Sequence, residues 1–181
     1  AYFPNGRVHV FNANGNELPG WPQIVDGEIN FYSFPSIGDI DNNGELEIVI
    51  GTGGGTEKIY AFRPDGSLVS GWPQTADQDA ISPTLGDIDN NGDLEIFAGG
   101  SNNGDLFAWE HDGTALTNFP FSIGNPVGRA ITGDVNQDGN LEIFFPGDEY
   151  SHLIDTSTNY LSGWPVQNDP VSESPAFADI D

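Results

Sequence analysis

The feature that most constrains this chain is an acidic nine-residue loop that occurs three times in nearly the same form. The loops begin at Asp39, Asp87 and Asp134. In each, positions 1, 3, 5 and 9 carry oxygen-bearing side chains, and position 6 is Gly, which permits a sharp turn. Such a loop wraps one hard cation such as calcium. The sequence therefore predicts a metal-binding repeat protein with about three calcium ions.

Each loop offers three carboxylates and one amide at those four side-chain positions. The third loop exchanges their order, because Asn136 takes position 3 and Asp138 position 5. Position 7 is expected to bind through its backbone carbonyl, so its side chain can vary. The alternative is three acidic Asx turns that close hairpins without metal. The predicted ligands are Asp39, Asp41, Asn43, Glu45 and Glu47; Asp87, Asp89, Asn91, Asp93 and Glu95; and Asp134, Asn136, Asp138, Asn140 and Glu142.

The sequence around each loop predicts strands. The loop begins like an EF-hand, but its last acid stands at position 9 rather than 12 and no helical pattern follows. Residues 48–50, 96–97 and 143–145 are instead runs of β-branched and aromatic residues. Each loop is therefore expected to lie in a hairpin between two strands.

The spacing of the loops predicts a β-propeller. The first loop position recurs at Asp39, Asp87, Asp134 and Asp179, at intervals of 48, 47 and 45 residues. An aromatic residue followed by Pro recurs at similar intervals, at residues 21–22, 72–73, 119–120 and 164–165. A period of about 40 to 50 residues with about four strands per unit is typical of a propeller blade. We predict an all-β fold whose blades have four antiparallel strands and about 45–48 residues each.

The units can be placed along the chain. Within the first full unit, strands are expected at 34–40, 46–52, 58–63 and 67–75, with the metal loop between the first two. The ends do not supply a complete further unit, and a closed ring removes open sheet edges. We therefore expect a single repeat domain, 1–181, that is a partial propeller or a fragment of one. Its predicted parts are the end of a preceding blade with its connection (1–33), three blades (34–75, 82–122 and 129–167) and the start of a further blade (174–181).

Composition limits the partners and the location. The chain has 28 acidic and four basic residues, a net charge of −24, which argues against nucleic acid and anionic membrane as partners. The absence of Cys excludes a disulfide scaffold. No stretch approaches the roughly 18 apolar residues of a membrane span, so no membrane insertion is expected. Weak calcium loops fill at the millimolar calcium found outside cells. An extracellular or cell-surface location is predicted.

At this point a family resemblance can be stated. The run Gly-Asp-Ile-Asp-Asn-Asn-Gly-Glu-Leu-Glu-Ile-Val-Ile-Gly at 38–51, with Gly-Trp-Pro at 71–73, resembles the FG-GAP (VCBS) repeats of integrin alpha-subunit propellers and of many secreted bacterial proteins. The resemblance covers essentially the whole chain. It implies a calcium-binding propeller with ligands at positions 1, 3, 5, 7 and 9 of each loop. The fourth copy ends after Asp179 and Asp181, and no ligand set is assigned to it.

The function predicted from this resemblance is an adhesion or interaction module for an extracellular protein or a polysaccharide. The alternative is the propeller part of a secreted polysaccharide-active enzyme, a lyase or a hydrolase. Such an enzyme needs a carboxylate pair in a cleft, and the sequence shows none beyond the calcium loops. The stretch 51–58 has the wrong spacing for a phosphate loop, and no Gly-x-Ser-x-Gly elbow is present. No catalytic residue is assigned.

Two further groups of residues have alternative interpretations. Tryptophans recur at the blade period, which favours packing between blades over stacking on sugar rings; they are Trp21, Trp72 and Trp164. The segment 147–152 differs from its counterparts and is either a ligand contact or a variable exposed turn. Three histidines have no evident partner and are expected to be structural or surface residues: His9, His111 and His152.

Overall fold

The computed structural model describes residues 5–29, 33–54, 57–76, 82–100, 103–167 and 175–176. All regular structure in these residues is β, which confirms the predicted fold class. None of them forms a helix that could span a bilayer. The strands are β1 (Asn5–Val8), β2 (Gln23–Asp26), β3 (Ser36–Gly38), β4 (Glu47–Gly51), β5 (Lys58–Phe62), β6 (Gln74–Thr75), β7 (Thr84–Gly86), β8 (Glu95–Gly99), β9 (Asp105–Trp109), β10 (Phe121–Ser122), β11 (Ile131–Gly133), β12 (Glu142–Pro146), β13 (Tyr150–Ile154) and β14 (Val166–Gln167).

These strands form a two-stranded sheet, β1–β2, followed by three four-stranded antiparallel sheets. The four-stranded sheets are β3–β6, β7–β10 and β11–β14, and in each the strands that follow one another in the chain are neighbours. This is the order of a propeller blade. The described sheets do not close a ring. The predicted start of a further blade lies, apart from residues 175–176, outside the described residues.

The apolar core lies between successive sheets rather than within any one of them. One buried cluster joins β1–β2 to the first four-stranded sheet, a second joins the first and second four-stranded sheets, and a third joins the second and third. A single sheet of this size cannot bury its own faces, so each unit depends on its neighbour, as in other repeat architectures. The core therefore has the form expected of stacked blades.

The hairpin around each metal loop forms as predicted. In the first full unit Gly38 of β3 is paired with Glu47 of β4, so the loop joins two antiparallel strands. The outer strand predicted at 67–75 is wrong in its extent, because only Gln74–Thr75 pairs with β5 as a strand. The Trp72 backbone N–H donates to the Val69 carbonyl, and this turn takes the backbone away from the sheet edge.

The first strands of successive sheets lie against one another. A Cβ built on Gly38 would stand 2.8 Å from a Leu85 methyl carbon, and one on Gly86 would stand 2.4 Å from the Thr132 hydroxyl oxygen. The Thr84 hydroxyl also donates to the Ala130 carbonyl at 2.7 Å. Small residues ahead of the metal loops therefore permit the close approach of neighbouring sheets.

Trp21 and Trp72 hold adjacent units together, as predicted, whereas among the described residues Trp164 packs edge-to-face on Phe144 of its own sheet. The Trp21 indole N–H donates to the Pro64 carbonyl of the next unit at 2.8 Å, and the Trp72 indole donates to the His111 carbonyl at 2.7 Å. Trp72 also packs edge-to-face on Trp109, with ring centroids 6.0 Å apart. Each of these two donating indoles thus joins its own unit to the turn that follows the third strand of the next one.

The glycine before each of these two tryptophans lies directly against that same turn. Gly71 has φ 89°, and a Cβ built on it would stand 1.8 Å from the Asp112 carbonyl oxygen. Gly20 meets the Asp65 carbonyl in the same way. Because the contact is with backbone, a side chain here would force the two units apart.

We expect Gly71→Ala to destabilise the protein more than Gly15→Ala. Both glycines have positive φ, so both changes carry the left-handed penalty of about 1 to 2 kcal/mol. Gly15 has open space around it, whereas the methyl group added at Gly71 would clash with the next unit. We expect this clash to lower the free energy of unfolding by about 1 to 3 kcal/mol more. Urea denaturation measures both values. Equal losses would show that the inter-unit contact is not tight.

Candidate metal centre

The three loops share one backbone path. Their position-6 glycines lie in the left-handed region, at φ 92° for Gly44, 97° for Gly92 and 92° for Gly139, as the sequence predicted. Position 4 is left-handed as well, which the sequence interpretation missed. Two of the three residues at this position, Asn42 and Asn90, are of the type that tolerates this conformation best. The asparagines in the sequence therefore did indicate it.

The acid at position 1 organises the turn. The Asp39 carboxylate accepts the Asn43 N–H at 2.9 Å through Oδ1 and the Gly44 N–H at 2.8 Å through Oδ2. Asp87 and Asp134 accept the matching pair of N–H groups in their own loops. These hydrogen bonds leave the remaining lone pairs of each carboxylate available for a cation.

The glutamate at position 9 is buried in all three loops and is the first residue of the second strand. Glu47 and Glu95 have no exposed surface, and Glu142 has 2%. In each, Oε2 accepts a backbone N–H from position 2 of its loop, at 3.0, 2.7 and 2.9 Å in chain order. The strand thus carries a carboxylate back under its own loop.

One oxygen of each buried glutamate in the first two loops has no donor. The carboxylates of Asp39, Asp41 and Glu47 place oxygens within 4.8 Å of one another, and those at positions 1, 3 and 9 of the second loop do the same. Among the described residues, Oε1 of Glu47, Oε1 of Glu95 and Oδ1 of Asp41 are buried without a hydrogen-bond partner. Converging carboxylates with a buried oxygen that lacks a donor fit a hard divalent cation.

The electrostatics of the two loops agree with this fit. The pKa of Glu95 is raised to about 7, chiefly by burial, with the Ile88 N–H opposing the shift and the charges of Asp89, Glu110 and Asp87 adding to it. Burial likewise raises the pKa of Glu47. Without a countercharge these glutamates favour the protonated form, and a bound cation would favour the ionised form.

Comparison with known families identifies the repeat. The family model described as FG-GAP-like repeat matches residues 39–98 and 87–145, which together cover more than half of the chain. The chain belongs to the FG-GAP-like repeat family. This confirms the resemblance noted in the sequence. Neither curated proteins nor solved structures give a match.

The third FG-GAP-like loop is arranged differently from the other two. Its position-3 amide, Asn136 Nδ2, donates to Asp138 Oδ2 and to Glu142 Oε1, at 3.0 Å each. An amide N–H at position 3 therefore faces the buried glutamate, where the first two loops have a carboxylate at that position. The structure brings together carboxylates at positions 1, 3 and 9 of the first two loops only, within its described residues.

The remaining predicted ligands lie in the same loops but are engaged in the turn. The position-5 amide oxygens accept the position-7 N–H groups, at 2.7 Å between Asn43 and Glu45 and 2.6 Å between Asn91 and Asp93. In the third loop Asp138 Oδ1 accepts the Asn140 N–H at 2.9 Å. Metal ligation by each of the fifteen predicted residues stays a prediction.

The expectation that the histidines lack evident partners is wrong for each of them. His9 Nδ1 lies 2.6 Å from Glu17 Oε1, and His111 Nδ1 lies 3.2 Å from Asp93 Oδ2. His152, which is buried within β13, has its Nδ1 at 2.7 Å from the Tyr160 hydroxyl. Burial lowers the pKa of His152. These partners lie across turns, where residue spacing alone did not reveal them.

We expect the effect of Glu95→Gln on the melting temperature to have opposite signs in chelator and in calcium. The folded-state pKa of Glu95 lies above the ordinary 4.5. The stabilisation that its protonated carboxyl provides is therefore full below about pH 4.5 and is lost as the pH rises through about 7. In chelator the variant should therefore match the parent at pH 4.5 and melt higher at pH 8. In calcium at pH 8 it should melt lower, because a ligand charge is missing.

Melting curves followed by circular dichroism under these three conditions check the prediction. Glu149→Gln, a change at an exposed glutamate, provides the control and should show no such inversion. A Glu95→Gln protein that melts lower than the parent in chelator at pH 8 would contradict it.

We expect Asn136→Asp to make the third loop more dependent on calcium. The change replaces an amide donor with a third clustered carboxylate, so like-charge repulsion should lower the melting temperature in chelator. Millimolar calcium should recover the loss and bind the third loop more tightly. Melting curves measure the first effect and calorimetric titration the second, and an unchanged melting temperature in chelator would show that the amide contacts carry little stability.

Proposed function

We propose that this chain is a calcium-stabilised propeller module of the FG-GAP-like family. One observation carries the proposal. Two fully buried glutamates, Glu47 and Glu95, each have a carboxylate oxygen without a donor beside two further carboxylates. A buried, unpaired charge is costly, and a divalent cation is the partner that these oxygens lack.

The donor set favours calcium over other metals. All predicted ligands are carboxylate, amide or carbonyl oxygens, which suit magnesium, calcium and manganese rather than zinc or copper. The loops are irregular turns rather than octahedral cages, and calcium tolerates such geometry better than magnesium does. When bound, the ion supplies two positive charges. Asp39 and Asp87 then hold the turn, and Glu47 and Glu95 tie it to β4 and β8.

Calcium binding by the third loop requires one additional step. Its Asn136 amide has to turn so that oxygen, not nitrogen, faces Glu142 before an ion can enter. The three loops together would then account for about three calcium ions.

We further propose an extracellular or cell-surface location and an interaction role. FG-GAP-like repeats are typical of extracellular proteins. Loops of this kind, with dissociation constants on the order of 0.1 to 1 mM, would fill at extracellular calcium levels. The partner would be an extracellular protein or a polysaccharide, in the manner of an adhesion module.

We expect calcium to raise the melting temperature of the protein by mass action. At 10 mM calcium and a dissociation constant of roughly 0.1 to 1 mM, each occupied site adds about 1.4 to 2.7 kcal/mol. Melting curves in calcium, in magnesium and in chelator measure the effect. The double variant Glu47→Gln/Glu95→Gln is the control and should lose most of the shift, and a parent protein indifferent to calcium would refute the proposal.

The interaction role has its own test. The immobilised protein is screened against purified extracellular matrix proteins and acidic polysaccharides, with and without calcium, and the soluble fraction is assayed for unsaturated sugar products. Calcium-dependent binding without chemical change supports an interaction module. Release of unsaturated products would instead support the polysaccharide-active enzyme, and no binding to any member of the panel would count against adhesion.

A further inference from the structure

The turn that follows the third strand of each sheet stands beside the metal loop of the same sheet, and its first residue differs in charge between units. That residue is Arg63 in the first full unit, Glu110 in the second and Asp155 in the third. The three are equivalent, because the backbone N–H of each closes the same turn by donating to a carbonyl four residues later. Identical backbone therefore presents opposite charges to the first two loops.

In the first unit this position presents a cation to the metal loop. Arg63 Nη2 lies 3.5 Å from Asp41 Oδ2, the position-3 carboxylate. The Arg63 side chain is 34% exposed and that of Asp41 is 19% exposed, so the pair is partly shielded from water. An ion entering this loop has to share Asp41 with a fixed positive charge.

In the second unit the same position presents an additional acid. The pairing of β8 with β9 sets Ile96 opposite Trp109, so Glu110 follows opposite Glu95, and the charges of the two residues interact. Glu95 is fully buried, and its Oε1 has no hydrogen-bond donor among the described residues. Two carboxylates that face each other across paired strands repel unless a proton or a cation lies between them. Glu110 therefore adds a fourth negative charge to a loop that already has three.

We propose that the two loops form a graded pair, in which the second is the tight calcium site and the first the weak one. Glu110 is the additional ligand of the second loop, and Arg63 competes with the ion for Asp41 in the first. The calcium affinity of such a loop depends on the number of ligand charges. Here the negative charge of Glu110 raises the affinity of the second loop, and the positive charge of Arg63 lowers that of the first. An order-of-magnitude difference in dissociation constant follows from one such charge at this range. The inference rests on the proposed calcium binding.

The experiment measures each site alone by calorimetric titration with calcium chloride at pH 8. All variants carry Glu142→Gln, which disables the third loop; Glu47→Gln then disables the first loop and Glu95→Gln the second, so each variant reports the other of these two loops. The Glu47→Gln protein, which keeps the second loop, should bind about tenfold or more tightly than the Glu95→Gln protein. Added to these backgrounds, Glu110→Gln should weaken the second loop about tenfold, and Arg63→Gln should strengthen the first by a similar factor.

A control separates local from general charge effects. Arg7→Gln removes the same positive charge from an exposed position on β1 and should leave both constants unchanged. Circular dichroism of every variant in calcium verifies that it is folded. Equal constants for the two loops, or an effect of Arg7→Gln as large as that of Arg63→Gln, would overturn the graded pair alone. Absence of calcium binding by the parent protein would overturn the proposed function with it.

Discussion

The contact on which each unit depends is the hydrogen bond from the position-2 backbone N–H of the metal loop to the glutamate at position 9. It joins Ile40 to Glu47, Ile88 to Glu95 and Val135 to Glu142. Because the glutamate begins the second strand, this bond fixes where the hairpin turns and which residue enters the sheet next. It also requires a carboxylate to be buried, which is unfavourable without further partners. Folding of the hairpin and assembly of the candidate cation site therefore depend on the same contact.

The same contact connects the metal loops to the interfaces between sheets. Ile40 and Ile88, whose N–H groups hold the glutamates, are themselves buried in the apolar clusters that join successive units. Leu94, at position 8 of the second loop, packs against Gly38 of the preceding unit. A loop that loosens would therefore disturb both its own hairpin and the packing of the adjoining sheet. A cation held by one loop would therefore stabilise two units.

The features that were predictable from the sequence are those determined by neighbouring residues. The left-handed position-6 glycines, the hairpin around each loop and the blade period all follow from local turn chemistry and regular spacing. The contacts that the sequence did not reveal join residues separated by a turn. Examples are the position of Arg63 over Asp41, of Glu110 beside Glu95, and of Tyr160 against His152. Their alignment depends on how tightly the outer strand bends, and the sequence overestimated the length of that strand.

The junction between the second and third four-stranded sheets shows how far the repeats can differ while the backbone path is kept. Phe119 replaces the tryptophan of the earlier units, so no indole N–H is available to bind the next turn. Phe121 instead packs edge-to-face on Phe145 and on Tyr160 of the following sheet. In the metal loop of that sheet, an amide N–H occupies the place where the other loops gather carboxylates. An aromatic contact and a neutral donor thus replace a hydrogen-bonded clamp and a cluster of carboxylates. The repeated element is the fold of the unit, and the groups that surround each buried glutamate differ from unit to unit.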